Sequence, residues 1–323
     1  MKEALLEVKN LKKYFAVHEG LFKKTRQYVK AVDGVDFSIA AGETFGLVGE
    51  SGCGKSTIGR LILRLIDATE GEVIFNGVNI CKMQKKELSP IRKELQIVFQ
   101  DPYGSLNPRM TAGQIIGEPM IKHRIHPRKA ITGETQRLLS IVGLNKADSN
   151  KYPHEFSGGQ RQRIVIARAL SLNPKLIVCD EPVSALDVSI QAQILNLLKK
   201  LQDDFGIAYL FIAHGMAVVQ HISKRIGVMY LGKMVEVASS NEIFNNCLHP
   251  YTKALMSAVP IPDPEVEERR EQIPVVGEMP NPMNPPSGCR FHTRCPLACT
   301  ICREQEPVLR SIEDDHYVAC HLV

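Results

Sequence analysis

The sequence predicts an α/β fold built around a largely parallel sheet. Short apolar runs alternate with helical patterns along most of the chain, as parallel sheets with crossover helices require. One run, Phe45-Gly46-Leu47-Val48, is broken by the glycine-rich stretch Gly49–Gly54, and a helical pattern follows at once. A middle block, from about Tyr103 to Ala169, reads as helical and predicts a subdomain of its own.

Taken in order, Leu5–Val8 and Val35–Ile39 alternate apolar with polar residues, as half-buried strands do. Between them Val17–Lys30 reads as a charged loop or hairpin. Phe45–Val48 is a buried strand. After the glycines, Ile58, Leu61, Ile62 and Leu65 recur at helical spacing and form one apolar face of a helix that begins near Lys55. Further strands fall at Val73–Phe75, Gln96–Phe99, Leu176–Cys179 and Ala208–Ile212. Ile190, Ile194, Leu197, Leu198 and Leu201 make an amphipathic helix. Ile226–Tyr230 and Lys233–Val237 flank Leu231-Gly232 and read as a hairpin. Prolines are dense from Pro260 to Pro286, which marks a boundary or linker. The expected division is therefore 1–260 for the main domain and 261–323 for a small cysteine-rich extension.

The 323 residues can bury a sizeable core. A net charge of +5 is mild for a nucleic-acid binder, so nucleic acid is not an expected partner. The residues Lys12, Lys13, Lys23, Lys24, Arg26 and Lys30 read as a solvated basic stretch. The opening MKEALLEVKN has no apolar run of signal type. Phe205–Ser223 lacks formal charge, but Gly206, His214 and Gly215 suit a strand followed by a helix better than a membrane span. A soluble, cytosolic chain is expected, reaching any membrane through a partner.

The stretch Gly49–Thr57, GESGCGKST, matches a phosphate-binding pattern. Its glycines let several backbone N–H groups turn inward toward phosphate oxygens, and the helix that follows adds its positive dipole end. Gly49, Ser51, Gly52, Cys53, Gly54 and Thr57 are the cradle. Lys55 reaches the β- and γ-phosphates, and the Ser56 hydroxyl suits Mg²⁺. Leu176–Pro182, LIVCDEP, is an apolar strand ending in two acids, as a Walker B motif does. Asp180 would hold Mg²⁺, and Glu181 would polarise the attacking water.

Phe156–Arg163, FSGGQRQR, resembles the signature of the ABC ATPases, and the rest of that family's set follows in order. Gln100 in VFQDP matches the Q-loop glutamine, with a role beside Mg²⁺. Ser184–Asp187, SALD, resembles the D-loop. His214 in FIAHG matches the switch histidine, and Tyr14 stands where the family stacks an aromatic on adenine, with Phe15 as the alternative. The resemblance implies the ABC form of the P-loop NTPase fold: a RecA-like core sheet, a helical subdomain and antiparallel β elements. It also implies head-to-tail pairing, in which Ser157, Gly158, Gly159 and Gln160 of one subunit, with Asp187 nearby, cap the ATP held by the other. One departure is Gly215, where similar sequences commonly have Asp after the histidine.

Gln100–Thr111, His249–Pro264 and Asn284–Pro296 resemble the ATP-binding subunits of oligopeptide and dipeptide importers, and the SAVPIPDP wording is nearest the F-type (OppF/DppF-like) subunits. That branch implies a D-type ATPase partner, two integral-membrane permeases and a solute-binding protein, with the chain on the cytoplasmic face of the inner membrane. Residues around Tyr103–Met120 would meet the permeases. Nickel importers share the branch, so the cargo stays open. A soluble ABC ATPase acting on ribosomes or DNA is the alternative from another class. The single cassette and the absence of sustained heptads weigh against it.

Five of the nine cysteines lie from Cys289 onward. Disulfides are disfavoured in a reducing compartment, which leaves a metal site. The resemblance links Cys289, Cys295, Cys302 and Cys320 to a [4Fe-4S] cluster; four thiolates suit a structural Zn²⁺ equally, and Cys299 is an alternative ligand.

Overall fold

The computed structural model describes residues 4–17, 27–259, 277–313 and 315–323. The described residues divide into two compact units: one of 40–43 and 82–212, the other of 4–17, 27–39, 44–81, 213–259, 277–313 and 315–323. The second unit therefore includes both the N-terminal strands and the cysteine-rich tail.

In the first unit, strands Leu95–Val98, Leu176–Asp180 and Ala208–Ala213 run parallel, with Leu176–Asp180 in the middle. The central strand is buried throughout, as a parallel strand covered on both faces must be. Val188–Phe205 is the amphipathic helix expected from its leucine spacing; Ile194, Leu197, Leu198 and Leu201 are buried, while Ile190 is half-buried. The helical block is present as Ala112–Lys122, Arg128–Ile141 and Gly158–Leu170. Thr111 and Gln114 close a reciprocal capping box at the start of the first of these.

In the second unit, strand Thr44–Val48 pairs in parallel with Arg225–Tyr230, which continues antiparallel into Lys233–Ser239. The turn between the latter two is Leu231-Gly232, both at positive φ. A separate sheet has Gln27–Ala40 beside Ala4–Val17, then Glu70–Phe75 and Val78–Asn79. Strand Ala4–Val17 is much longer than the alternation at Leu5–Val8 predicts. The charged loop falls largely in 18–26, outside the described residues, as do Lys23, Lys24 and Arg26. Of the basic stretch, Lys12, Lys13 and Lys30 sit on strands rather than in a loop.

Helix Lys55–Ile62 buries Ile58, Leu61 and Ile62 as expected, but Leu65 is 53% exposed. The helix has ended by then, because Arg64 takes a left-handed φ of 51°. That exit breaks the i, i+7 relation on which the expectation for Leu65 rested.

The tail is tied to this unit by its backbone and side chains. Strand His316–Val318 pairs antiparallel with Lys233–Ser239, and Arg310–Glu313 pairs in turn with His316–Val318. Neither tail strand is evident in the sequence. Glu236 is fully buried and its carboxylate accepts from Leu248 N–H at 2.7 Å, His249 N–H at 3.1 Å and His316 Nε2 at 2.8 Å. Phe291 is fully buried against Tyr230 and Tyr251, with ring centroids 5.2 and 5.3 Å away.

Two expectations follow. Phe291→Ala removes an aromatic plug and should lower the unfolding free energy by about 3–5 kcal/mol in denaturant titration. Burial holds the His249 pKa down at about 4, against 6.5 when free. The unfolded imidazole thus takes a proton first, and stability present above pH 6.5 is lost as pH falls toward 4. His249's share of the loss should reach about 3 kcal/mol and be absent in His249→Asn, which leaves the shallower slope of groups such as His123, whose pKa burial also lowers.

Candidate functional site

The second unit carries the phosphate loop. Gly49, Gly52 and Gly54 take φ of 150°, 79° and 108°. At two of these positions space as well as torsion requires glycine. A Cβ on Gly49 would lie 2.1 Å from Met229 O, and one on Gly54 would lie 2.1 Å from Ala31 O. Ser51 and Gly52 are exposed at the loop's apex, and Ser56 and Thr57 are half-buried on the first turn of the helix. Cys53 is fully buried, and burial pushes its thiol pKa up.

Lys55 is only 3% exposed. Its ammonium donates to Gly49 O at 2.6 Å and Glu50 O at 2.9 Å, and lies 3.4 Å from His214 Nδ1. A buried cation needs such partners. The loop therefore wraps its own lysine, and His214 sits beside it. Gly215, the departure after His214, has open space where a side chain would project.

Tyr14 donates its hydroxyl to Asp33 and has Lys30 Nζ 5.8 Å from its ring centroid. Burial and the Asp33 hydrogen bond raise its pKa. Burial opposes ionisation of Asp33, but the Tyr14 hydroxyl, Lys233 and Arg290 outweigh it and hold the carboxyl below its usual range. Phe15 is the more exposed ring, with Lys13 Nζ 5.0 Å from its centroid.

The first unit carries the acids and the signature. Asp180 and Glu181 end the central strand, 7% and 5% exposed. Gln100 Nε2 donates to Glu181 Oε2 at 2.7 Å, which brings together two residues 81 apart in sequence. Glu181 has a left-handed φ of 52°, a strained conformation for a non-glycine residue. Its backbone is fixed by Ile212 O at 3.0 Å and by Ser184 Oγ, which donates to Glu181 O at 3.1 Å.

Ser157 caps helix Gly158–Leu170: its Oγ accepts from Gln160 N–H at 3.3 Å, and Gln160 Oε1 accepts from Ser157 N–H at 3.0 Å. Ser157, Gly158 and Gln160 are exposed, so a helix N-terminus faces outward from this unit. Gly159 is buried; a Cβ there would lie 2.5 Å from Ile190 Cγ2. Asp187 caps the next helix through Ile190 N–H at 3.0 Å, and that bond leads in holding its carboxyl low.

Residues absent from the sequence reading surround the phosphate loop. Tyr251 Oη accepts from Glu50 N–H at 2.9 Å, and Arg294 Nη1 lies 3.0 Å from both Glu50 carboxylate oxygens. Arg290 pairs with Asp33, the carboxylate that also holds Tyr14. The signal available in the sequence was the placement of Arg290 and Arg294 beside Cys289 and Cys295.

The expected metal site fits only in its chemistry. Cys299 Sγ and Cys302 Sγ lie 3.4 Å apart, and the thiol charges of Cys289, Cys295, Cys302 and Cys320 act on one another. Burial pushes the Cys289 pKa up to about 11. Among the described residues, however, no three His, Cys, Asp or Glu side chains converge as a metal-holding group.

Comparison with known proteins agrees with this layout. Residues 32–184 match the ABC transporter family model, and 235–302 match the C-terminal region of oligopeptide/dipeptide transporters. The oligopeptide transport ATP-binding protein AppF of Bacillus subtilis is 53% identical over 99% of this chain and 98% of its own length. The dipeptide transport ATP-binding protein DppF of Haemophilus influenzae is 49% identical over 98% of this chain and 96% of its own. Among solved structures, the dimeric post-hydrolysis ATP-binding cassette MJ0796, bound to ADP and Pi, superposes with a TM-score of 0.64 at 30% identity, covering 73% of this chain and 98% of that one.

The contact at Gly49 gives a direct test of the loop. Gly49→Ala should weaken ATP binding at least about tenfold in equilibrium titration, because the loop must open away from Met229 O.

Proposed function

Because the chain belongs to the ABC transporter family, in its oligopeptide/dipeptide branch of ATP-binding proteins, we propose that it is the ATP-hydrolysing subunit of a peptide importer. The observation that carries the proposal is Lys55, buried in a glycine-shaped loop at a helix N-terminus with His214 at 3.4 Å. The loop's N–H groups and the Lys55 ammonium bind and orient the phosphates of ATP. Ser56, Asp180 and Gln100 offer hydroxyl, carboxylate and amide oxygens, the hard donors Mg²⁺ prefers. When bound, Mg²⁺ would neutralise charge on the β- and γ-phosphates. Glu181, held by Gln100, orients and deprotonates the attacking water, and His214 donates toward the γ-phosphate. Tyr14 supplies the adenine-stacking face.

The exposed signature supports pairing with a second ATPase of D-type. Ser157, Gly158, Gly159 and Gln160 would cap ATP held by that partner, with Asp187 at the same interface. A groove of about 950 Å³ in the helical block, lined by Met110, Gln114, Ile121 and Ile131 among others, supports docking of permease segments there. Among the described residues no helix is long and apolar enough to cross a membrane. Attachment to the inner membrane would run through two permeases, served by a solute-binding protein. Identities of 53% and 49% to oligopeptide and dipeptide transport proteins support a peptide cargo. For the tail, the chemistry of four thiolates supports a [4Fe-4S] cluster on Cys289, Cys295, Cys302 and Cys320, although among the described residues no three such side chains converge. Measured iron and sulfide would support it; stoichiometric zinc would replace it.

Glu181→Gln tests the mechanism. ATP binding should persist, turnover should fall about 10²–10⁴-fold, and the ATP-bound pair should be stabilised. Unchanged turnover would remove Glu181 from its role, and failure to co-purify with two integral membrane proteins would count against the importer.

A further inference from the structure

We propose that Arg294 and Tyr251 are positioning residues of the phosphate loop, acting through Glu50; the inference rests on the ATP-binding reading above. Glu50 is engaged at each of its polar groups. Its N–H donates to Tyr251 Oη at 2.9 Å, its carbonyl accepts from the Lys55 ammonium at 2.9 Å, and its carboxylate takes Arg294 Nη1 at 3.0 Å on both oxygens. One residue thus joins the phosphate-binding lysine to two side chains more than 200 positions away in sequence. Turning the Gly49–Glu50 or Glu50–Ser51 peptide would move a carbonyl or N–H that these contacts fix.

The two outer anchors are themselves rigid. Tyr251 and Tyr230 are fully buried, with centroids 4.8 Å apart, and Phe291 from the tail closes the aromatic group. The Tyr251 ring cannot swing without disturbing that packing, so its oxygen is a fixed acceptor. Arg294 has a side chain only 8% exposed, lies 5.8 Å from the Tyr230 ring centroid and reaches Tyr230 Oη at 3.4 Å. With the Glu50 side chain 29% exposed, the pair is partly shielded and less screened by solvent than a fully exposed one. Among the described residues Arg294 Nε is buried with no hydrogen-bond partner.

The consequence is preorganisation. Lys55 can transfer from loop carbonyls to phosphate oxygens without the loop collapsing, because Glu50 stays in place. The tail therefore acts on the nucleotide step without contributing a residue to the chemistry.

The test uses the full-length protein and a fluorescent N-methylanthraniloyl-ATP titration, with thermal melting alongside. Arg294→Gln and Glu50→Gln should each raise Kd about three- to tenfold, consistent with loss of a hydrogen-bonded charge pair. The double variant should bind no more weakly than the worse single one, since both remove one interaction. Arg294→Lys should recover part of the affinity, and Tyr251→Phe, which keeps the packing, should raise Kd about two- to fivefold. Tyr251→Phe and Glu50→Gln carry the test if Arg294→Gln fails to fold. Wild-type affinity in these folded variants, or single effects that multiply in the double, would overturn the proposal while leaving ATP binding intact. A wild-type protein that binds no analogue would overturn the ATP reading and this inference with it.

Discussion

The Lys55 ammonium is buried inside a loop whose own carbonyls hold it, and much of the second unit is arranged around that fact. A charge in that position is tolerated only when hydrogen-bonded, so Gly49 and Glu50 must present their carbonyls inward. Inward carbonyls force torsions that only glycine adopts comfortably at positions 49 and 54, where Met229 O and Ala31 O close the space. The same loop must keep N–H groups free to meet phosphate oxygens. One short segment thus satisfies a cation in the resting protein and an anion when nucleotide is bound.

The tail extends this constraint. Arg290, Phe291 and Arg294 come from the cysteine-rich segment, and each meets a residue near the loop or Tyr14. Strand His316–Val318 and the buried Glu236–His316 contact hold the segment on the sheet. The cysteines are thereby placed next to the arginines that pair with Asp33 and Glu50. In the first unit, Glu181 is pinned in a left-handed conformation by strand Ala208–Ala213, Ser184 and Gln100. Strain of this kind is held where a side chain must point against the preference of its backbone.

Much of the site was legible because its motifs are local. Gly49–Thr57, Leu176–Pro182 and Phe156–Arg163 each carry their chemistry within nine residues or fewer, and the structure forms the loop, strand end and capped helix they predict. Contacts at long range were harder to read. Gln100 and Glu181 were each singled out, but their contact was not anticipated. The Glu50 contacts with Tyr251 and Arg294 leave no periodic signal at all, since a salt bridge between distant residues imposes no pattern on either neighbourhood. The tail strands were missed for a related reason: four and three residues are too few to show alternation, and they exist because the edge of Lys233–Ser239 is there to receive them. Leu65 shows the opposite failure, in which a periodic pattern outran a helix ended by one left-handed residue.

The phosphate loop is held ready before nucleotide arrives. Amide hydrogen exchange resolved at Glu50–Lys55 measures this most directly. The Glu50 N–H, bonded to Tyr251, should be protected in the nucleotide-free protein, while the exposed Ser51 and Gly52 amides exchange fast and become protected only with MgATP. Fast exchange at Glu50 without nucleotide, or no added protection across Ser51 and Gly52 with it, would contradict the account.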